Sequence, residues 1–474
     1  MQLLKKTQLA AIIETLEGVY QAPSSTDLIP VLQTPSIELS LEQIDRSTAR
    51  GDLTMPLAVP SFRKGKCSFQ MEAQGAKAGI GTLPAINLPL LACGMNRTAA
   101  KRVTVAAASF SAQVYHGATF VQATSGATGT VLGSYLPGDL HFYFSPTTGT
   151  VDAAHVITFT NPTQYGGSPT VATPNAGFAL QDAYCWNPDD TQQSQIATSA
   201  TVGGGGITTG DEILGVTSGA RGIARNAVAG VGTLQFLRFP GGPHFGASET
   251  IQKASDATKF VTSAGVETQV KNPSLTLMTL HDNTLRKAIK GARGTFKVDL
   301  NNGDRPLFSF DFQGCGVQVV DGVNFAYPGD TMFVPNVVTG GKINFDALYP
   351  PNFSKLSFDL GATLSERESP NDTTATGYES FIVSGRDCKG SIDPETIRES
   401  LYSFAAQAKA WFKTQFRIRA RCGPGGDGNT FEFMAIQAQI QSPKEGERAQ
   451  GLMMSDLPLV LRGDGNDELL IFLS

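Results

Sequence analysis

Short runs in which apolar and polar residues alternate, each closed off by Gly, Pro or Asn, constrain this chain more than any other feature. SIELSLEQI sets Ile37, Leu39 and Leu41 against polar neighbours, and CSFQMEA repeats the pattern; SLTLMTL from Ser274 and RPLFSFDFQG from Arg305 do the same. SKLSFDLGATL, YESFIVSG, FRIRARCG and FEFMAIQAQI follow later in the chain. A period of two belongs to a strand with one buried face. The 51 Gly and 26 Pro supply turns and bar long helices. The fold class expected is mainly β.

At 474 residues the chain exceeds what one core usually serves, so two to four domains are expected. Hydrophobic residues make up 41% and charged residues 17%, a balance suited to a subunit that hides surface in contacts. The net charge of -5 argues against a protein that grips nucleic-acid phosphates, while passing DNA without gripping it stays compatible. Cys67, Cys93, Cys185, Cys315, Cys388 and Cys422 form no CxxC pair, so reduced, buried thiols are expected. The N-terminal residues lack a signal-peptide pattern and no long apolar run occurs, which predicts neither secretion nor membrane spanning.

Along the chain, strands are expected from Val31 to Glu72, interrupted by a long excursion from Arg46 to Lys64, and a short helix is expected within Leu83 to Gly94. From Gln113 to Val270 the texture changes to Gly, Thr, Ser and Ala. TSGATGTV at Thr124 is echoed by TSGARGIA at Thr217, each followed by an aromatic strand, which predicts two related small β modules. AGFALQDAYCWNPDD and the glycines Gly203 to Gly206 read as connection. After Pro273 the first pattern resumes. The domain reading is therefore 1–112 with 271–326 as a discontinuous first β domain, 113–270 as inserted modules, and 327–474 as a second β domain. A helix is expected in the last of these, capped by Asp393, begun by Pro394, with Ile397, Leu401, Phe404, Ala408, Trp411 and Phe412 on one face. Both flanking regions share an order of elements, which suggests duplication.

KKTQLAAIIETLEGVYQAPSSTD, PSIELSLEQIDRSTARGDL, FRKGKCSFQMEAQG, GARGTFKVDLNNGDRPLFSFDFQG and DLPLVLRGDGNDELLIFLS together resemble tail tube proteins of long-tailed, siphophage-like bacteriophages. The resemblance covers the N-terminal third and the C-terminal two-fifths. It implies two β-sandwich or barrel domains, each with a flanking helix, assembled with copies of the same chain into stacked rings of a virion tail, made in the host cytoplasm. A duplicated chain would form trimeric, pseudo-sixfold rings. The resemblance also implies a tape measure protein and tail terminator or tip proteins as partners, with DNA passing transiently through the lumen. By the same resemblance, inter-ring contacts are expected on Arg46, Arg50, Asp52, Leu53, Met55, Arg63 and Lys64, and in the second half on Glu366, Arg367 and Glu368 within the excursion to Thr376.

No enzymatic chemistry is legible, and no cofactor is expected. His116, His141, His155, His244 and His281 form no HExxH or HxH pair. Asp464, Asn466, Asp467 and Glu468 lack calcium-loop spacing and read as a solvated turn. GxSxG is absent, and the glycine run lacks a following Lys-Ser/Thr. Two other readings stay open: a tail-tip or baseplate hub component, and a carbohydrate-binding adhesin using Phe142, Tyr143, Phe236 and Phe239, aromatics whose favoured reading is as the cores of the two small β modules.

Overall fold

The computed structural model describes residues 7–45, 58–79, 81–106, 110–163, 169–174, 180–189, 191–239, 242–327, 329, 331–338, 344–345, 352–369, 377–398, 400, 403–409, 416–423, 428–448, 451–463 and 465–474. The first elements are β1 (Thr7–Ile13), β2 (Leu28–Ile29), β3 (Ser36–Ile44), β4 (Val59–Glu72) and α1 (Asn87–Ala92). Helix α1 lies within the predicted Leu83–Gly94 window. Pro89 falls in its first turn, where no intrahelical bond is lost, and Gly94 follows at φ +83.

β5 (Met95–Thr104), β6 (Thr119–Gln122), β7 (Thr128–Leu132), β8 (His141–Thr148), β9 (Ile157–Thr160) and β10 (Pro169–Ala172) come next. They pair in the order β5–β8–β7–β6–β9–β10, and an isolated bridge from Val105 to Pro174 joins the two ends. After β11 (Gln181–Pro188) the same order recurs in β12 (Gln193–Gly203), β13 (Glu212–Gly215), β14 (Arg221–Ala224), β15 (Gly232–Arg238), β16 (Thr250–Lys253) and β17 (Asp256–Ser263), with β18 (Thr268–Lys271) added on β12. Here β12 pairs with both β15 and β17, so the second set closes into a six-stranded barrel.

The echoed octapeptides are the matching hairpin turns. Ser125 Oγ accepts from Ala127 N as Ser218 Oγ does from Ala220 N, at 3.2 and 3.1 Å, and bridges Val114–Tyr135 and Ile207–Val228 also correspond. The internal repeat is thus a repeat of topology. AGFALQDAYCWNPDD, read from sequence as connection, contains β11, which lies between β5 and a strand near the C-terminus. Its burial pattern is not a clean alternation, because Cys185 and Trp186 are both buried.

β19 (Leu275–His281), β20 (Leu285–Asn301) and β21 (Leu307–Asp321) complete a sheet in the order β1–β19–β20–β21–β4–β3. Past it come β22 (Asn344–Phe345), β23 (Phe353–Asp359), β24 (Ala362–Glu368), β25 (Tyr378–Arg386), β26 (Lys389–Pro394), α2 (Phe404–Lys409), β27 (Phe416–Cys422), β28 (Phe431–Ile440), β29 (Lys444–Arg448), β30 (Leu452–Arg462) and β31 (Leu470–Leu473). Their sheet runs β22–β27–β28–β30–β26–β23, the same order of corresponding strands, and in each repeat a helix follows the two strands at the end of that order, β3 and β4 or β23 and β26. Strands β24 and β25 continue the β23–β26 hairpin beyond a break at Gly361, which sits at φ +58 with the Asp387 carbonyl oxygen 2.4 Å from where a Cβ would be.

The two sheets share one core, in which Phe69, Phe296, Phe308 and Phe310 meet Leu356, Phe358, Phe433 and Leu459. The long helix expected from Asp393 does not form. Asp393 and Pro394 end β26, and the Asp393 carboxylate accepts from Ser354 N at 2.8 Å and Lys355 N at 2.6 Å. Pairing with β23 and β30 on both sides outweighs the local capping signal. Among the described residues of this segment Phe404–Lys409 alone is helical; Leu401, Trp411 and Phe412 lie outside the described residues.

The barrels differ in how they are held. The second has its own core of Ile196, Ile213, Leu234, Phe236, Phe245, Ile251 and Val261. The first packs Phe120, Phe142 and Phe159 in a core that also contains Met434, Ile436, Leu470 and Phe472 of the C-terminal sheet. Residues 191–271 expressed alone are therefore expected to unfold in one cooperative thermal transition followed by circular dichroism. Residues 95–188 alone are expected to show none, having lost one wall of their core.

Candidate assembly surface

Arg63 and Lys64 stand on β4, and Glu366, Arg367 and Glu368 on β24, so the two excursions predicted to correspond are both hairpins. Arg46, Arg50, Asp52, Leu53 and Met55 lie outside the described residues, as do 370–376. The structure brings the hairpins together. Lys64 Nζ lies 2.8 Å from Glu42 Oε1 of β3 and 2.5 Å from Glu366 Oε1 of β24, and 5.2 Å from the centroid of the Tyr378 ring. Although partial burial works against its charge, hydrogen bonds to Glu366 and Glu42 hold Lys64 above the ordinary lysine range. Phe62 packs on Tyr378 at 4.9 Å, beside Phe381 and Leu364. Arg63 and Glu368 remain exposed.

Arg367 takes a role that its position in the hairpin did not reveal. Its Nη1 donates to Glu17 Oε2 at 2.8 Å, and Arg293 Nη1 donates to Glu17 Oε1 at 2.7 Å. Arg238 of the second barrel approaches Glu17 at 3.6 Å and Glu379 at 3.7 Å. Glu17 thereby ties the N-terminal segment to β20, β24 and β15. No sequence signal could have found this node, since Glu17 is hundreds of residues from each of its arginine partners.

Burial pushes the Glu17 carboxyl up, but Arg293 and Arg367 outweigh it and hold the group at about 2 against an ordinary 4.5. A carboxyl depressed on folding contributes stability that is fully present above its unfolded value and lost as pH falls through the folded one. For Glu17 that contribution is roughly 3 kcal/mol at neutral pH. Thermal midpoints are accordingly expected to fall as pH drops from about 4.5 towards about 2, and Glu17→Gln should flatten that slope while lowering the midpoint at neutral pH. Glu14 acts with the opposite sign: burial raises it despite bonds from Ser274, Gly291, Thr276 and Gly18, so its contribution weakens as pH rises.

The hairpin β3–β4 carries the sharpest departure from the sequence reading. Alternation places Ile37, Leu39 and Leu41 on one face that ought to be buried, yet only Ile37 is, while Leu39 and Leu41 are 48% and 47% exposed. Ile44 and Val59, opposite one another near the end of the hairpin, are exposed as well. Among the described residues this apolar surface is left exposed.

The remaining candidates are occupied internally. Phe142, Tyr143 and Phe236 are fully buried and cannot stack on a sugar, while Phe239 is half-buried. Arg386 Nη2 donates to Asn466 Oδ1 at 2.6 Å and to Glu468 Oε1 at 3.1 Å, so the acidic turn is pinned and not simply solvated; Asp467 is buried. All six cysteines are free and buried, and burial pushes the thiols of Cys67, Cys388 and Cys422 up to about 12. Among the described residues no group of three or more His, Cys, Asp and Glu could hold a metal ion, and no helix is long and apolar enough to cross a membrane. No known protein family matches the chain, and no curated protein is significantly similar to it.

Proposed function

We propose that this chain is a structural subunit of a bacteriophage tail tube, assembling with copies of itself into stacked rings with a central channel for DNA. The observation that carries the reading is the joint between the two repeats. β20 of the first repeat pairs with β23 of the second, from Lys297 opposite Asp359 to Asn301 opposite Lys355. Two copies of one strand order are thus set edge to edge within the chain, and the remaining outer edges suit further copies. Three such chains supply six repeats to a ring.

The hairpins β3–β4 and β24–β25 serve contacts between rings in this reading, with Leu39, Leu41 and Ile44 as the apolar surface to be covered. The net charge of -5 suits a channel wall that does not hold phosphates. Averaged electron micrographs of the purified protein test the proposal. Stacked rings with threefold symmetry are expected; a ring of six whole chains would remove the trimeric arrangement, and persistent monomers at high concentration would remove the tube itself.

A further inference from the structure

We infer that neighbouring chains join by pairing the free edge of β29 in one copy with the free edge at the start of β3 in the next. The inference rests on the ring reading and specifies its joint. Among the described residues β29 pairs only with β30, and β3 only with β4. Lys444, Glu445 and Glu447 are exposed on the first edge, and Ser36 and Glu38 on the second.

The register follows from the joint already present inside the chain. β28 followed by β29 occupies in the second repeat the place of β20 in the first, and β30 that of β21. Counting back from the hairpin turns, Asp299 faces Leu307 across the β20–β21 hairpin as Gly446 faces Met454 across β29–β30. The segment Lys444–Arg448 therefore stands where Lys297 to Asn301 stand, and those are the residues of β20 that pair with β23. On the other side, Leu307 pairs with Glu72 as Met454 bridges to Glu395, which aligns β4 with β26. Following Ser36–Ser68 and Leu356–Ile392 across those strands then places Asp359 and Glu38 at the same position.

Carried over to two chains, the internal register sets Lys444 opposite Glu38 and Gly446 opposite Ser36. The internal joint has Lys297 opposite Asp359. The charge pairing at that position is thus the same, a lysine on the β20-type strand and a carboxylate on the β3-type strand, although little else in the two segments matches. Opposite charges across a ladder favour the register and like charges oppose it. Because the two edges are different surfaces on one molecule, the contact is head-to-tail and propagates round a ring.

The full-length double variant Glu38→Cys with Lys444→Cys tests this directly. Under mild oxidation of assembled protein, covalent dimers and trimers are expected on a non-reducing gel, at least tenfold above the out-of-register pair Glu38→Cys with Glu447→Cys. In parallel, Glu38→Lys should raise the concentration needed for assembly by roughly tenfold, and Glu38→Lys with Lys444→Glu should restore it. Rings that form without the in-register crosslink, or a charge reversal with no effect and no rescue, would overturn this joint and leave the ring reading standing. Monomers alone, from the unaltered chain at high concentration, would overturn both.

Discussion

Replacing Glu432 with Ala is expected to lower the stability of the folded chain by about 3–5 kcal/mol. Glu432 is fully buried on β28, hydrogen-bonded to Arg419 Nε and 2.9 Å from His141 Nε2 of the first barrel. Arg419 Nη1 also reaches Asp139 Oδ1 at 2.8 Å, and Arg417 Nη1 reaches Asp139 Oδ2 at 2.6 Å. Burial opposes ionisation of Glu432, but Arg419 and His141 hold its carboxyl well below the usual range. Without it, Arg419 stays in the interior with one carboxylate for company, a loss larger than the net worth of the original pair. Equilibrium denaturant unfolding measures the change. Glu432→Gln keeps the shape and separates lost charge from lost volume. Because the network spans the seam between the first barrel and the C-terminal sheet, limited proteolysis of the Ala variant should release fragments cut within 95–188 before the rest of the chain is attacked.

The second large effect concerns assembly. Leu39→Asp with Leu41→Asp is expected to leave the unfolding midpoint of the isolated subunit nearly unchanged, since both side chains already face water. Fully burying a leucine contributes about 1.5–3 kcal/mol, and about half of each side chain is still exposed, so losing both at the proposed contact between rings should raise the concentration required for tubes by roughly 10- to 100-fold. Light scattering against protein concentration and micrographs at matched concentration report this. A variant that forms tubes as readily as the unaltered chain would show that the hairpin surface serves some other contact.

The period-two signal made most of the fold legible. RPLFSFDFQG and FEFMAIQAQI both became strands of the shared core, and the echoed TSGATGTV and TSGARGIA became matching turns. Turn chemistry is local, so sequence carries it well. The helix at Asp393 misled because a cap residue reads the same whether its carboxylate meets a helix N-terminus or the backbone of a neighbouring strand, here Ser354 and Lys355. β11 was missed because neighbouring strands and barrel residues bury both of its faces near Cys185 and Trp186, which erases alternation. At the candidate assembly surface the sequence sets Lys64 and Glu366 in two corresponding excursions, but gives no sign of their contact. Pairing between residues so far apart is settled by the docking of the two repeats and leaves no trace in either segment alone.

The β20–β23 joint also bears on how fast a ring can close. When two repeats share a chain, the partner strand is held at an effective concentration fixed by the connection between them, whatever the number of molecules in solution. In a ring built from such chains, every second joint is made once, during folding, and dilution cannot undo it. Only the joints between chains remain subject to mass action, so a ring of six repeats nucleates as a three-body process.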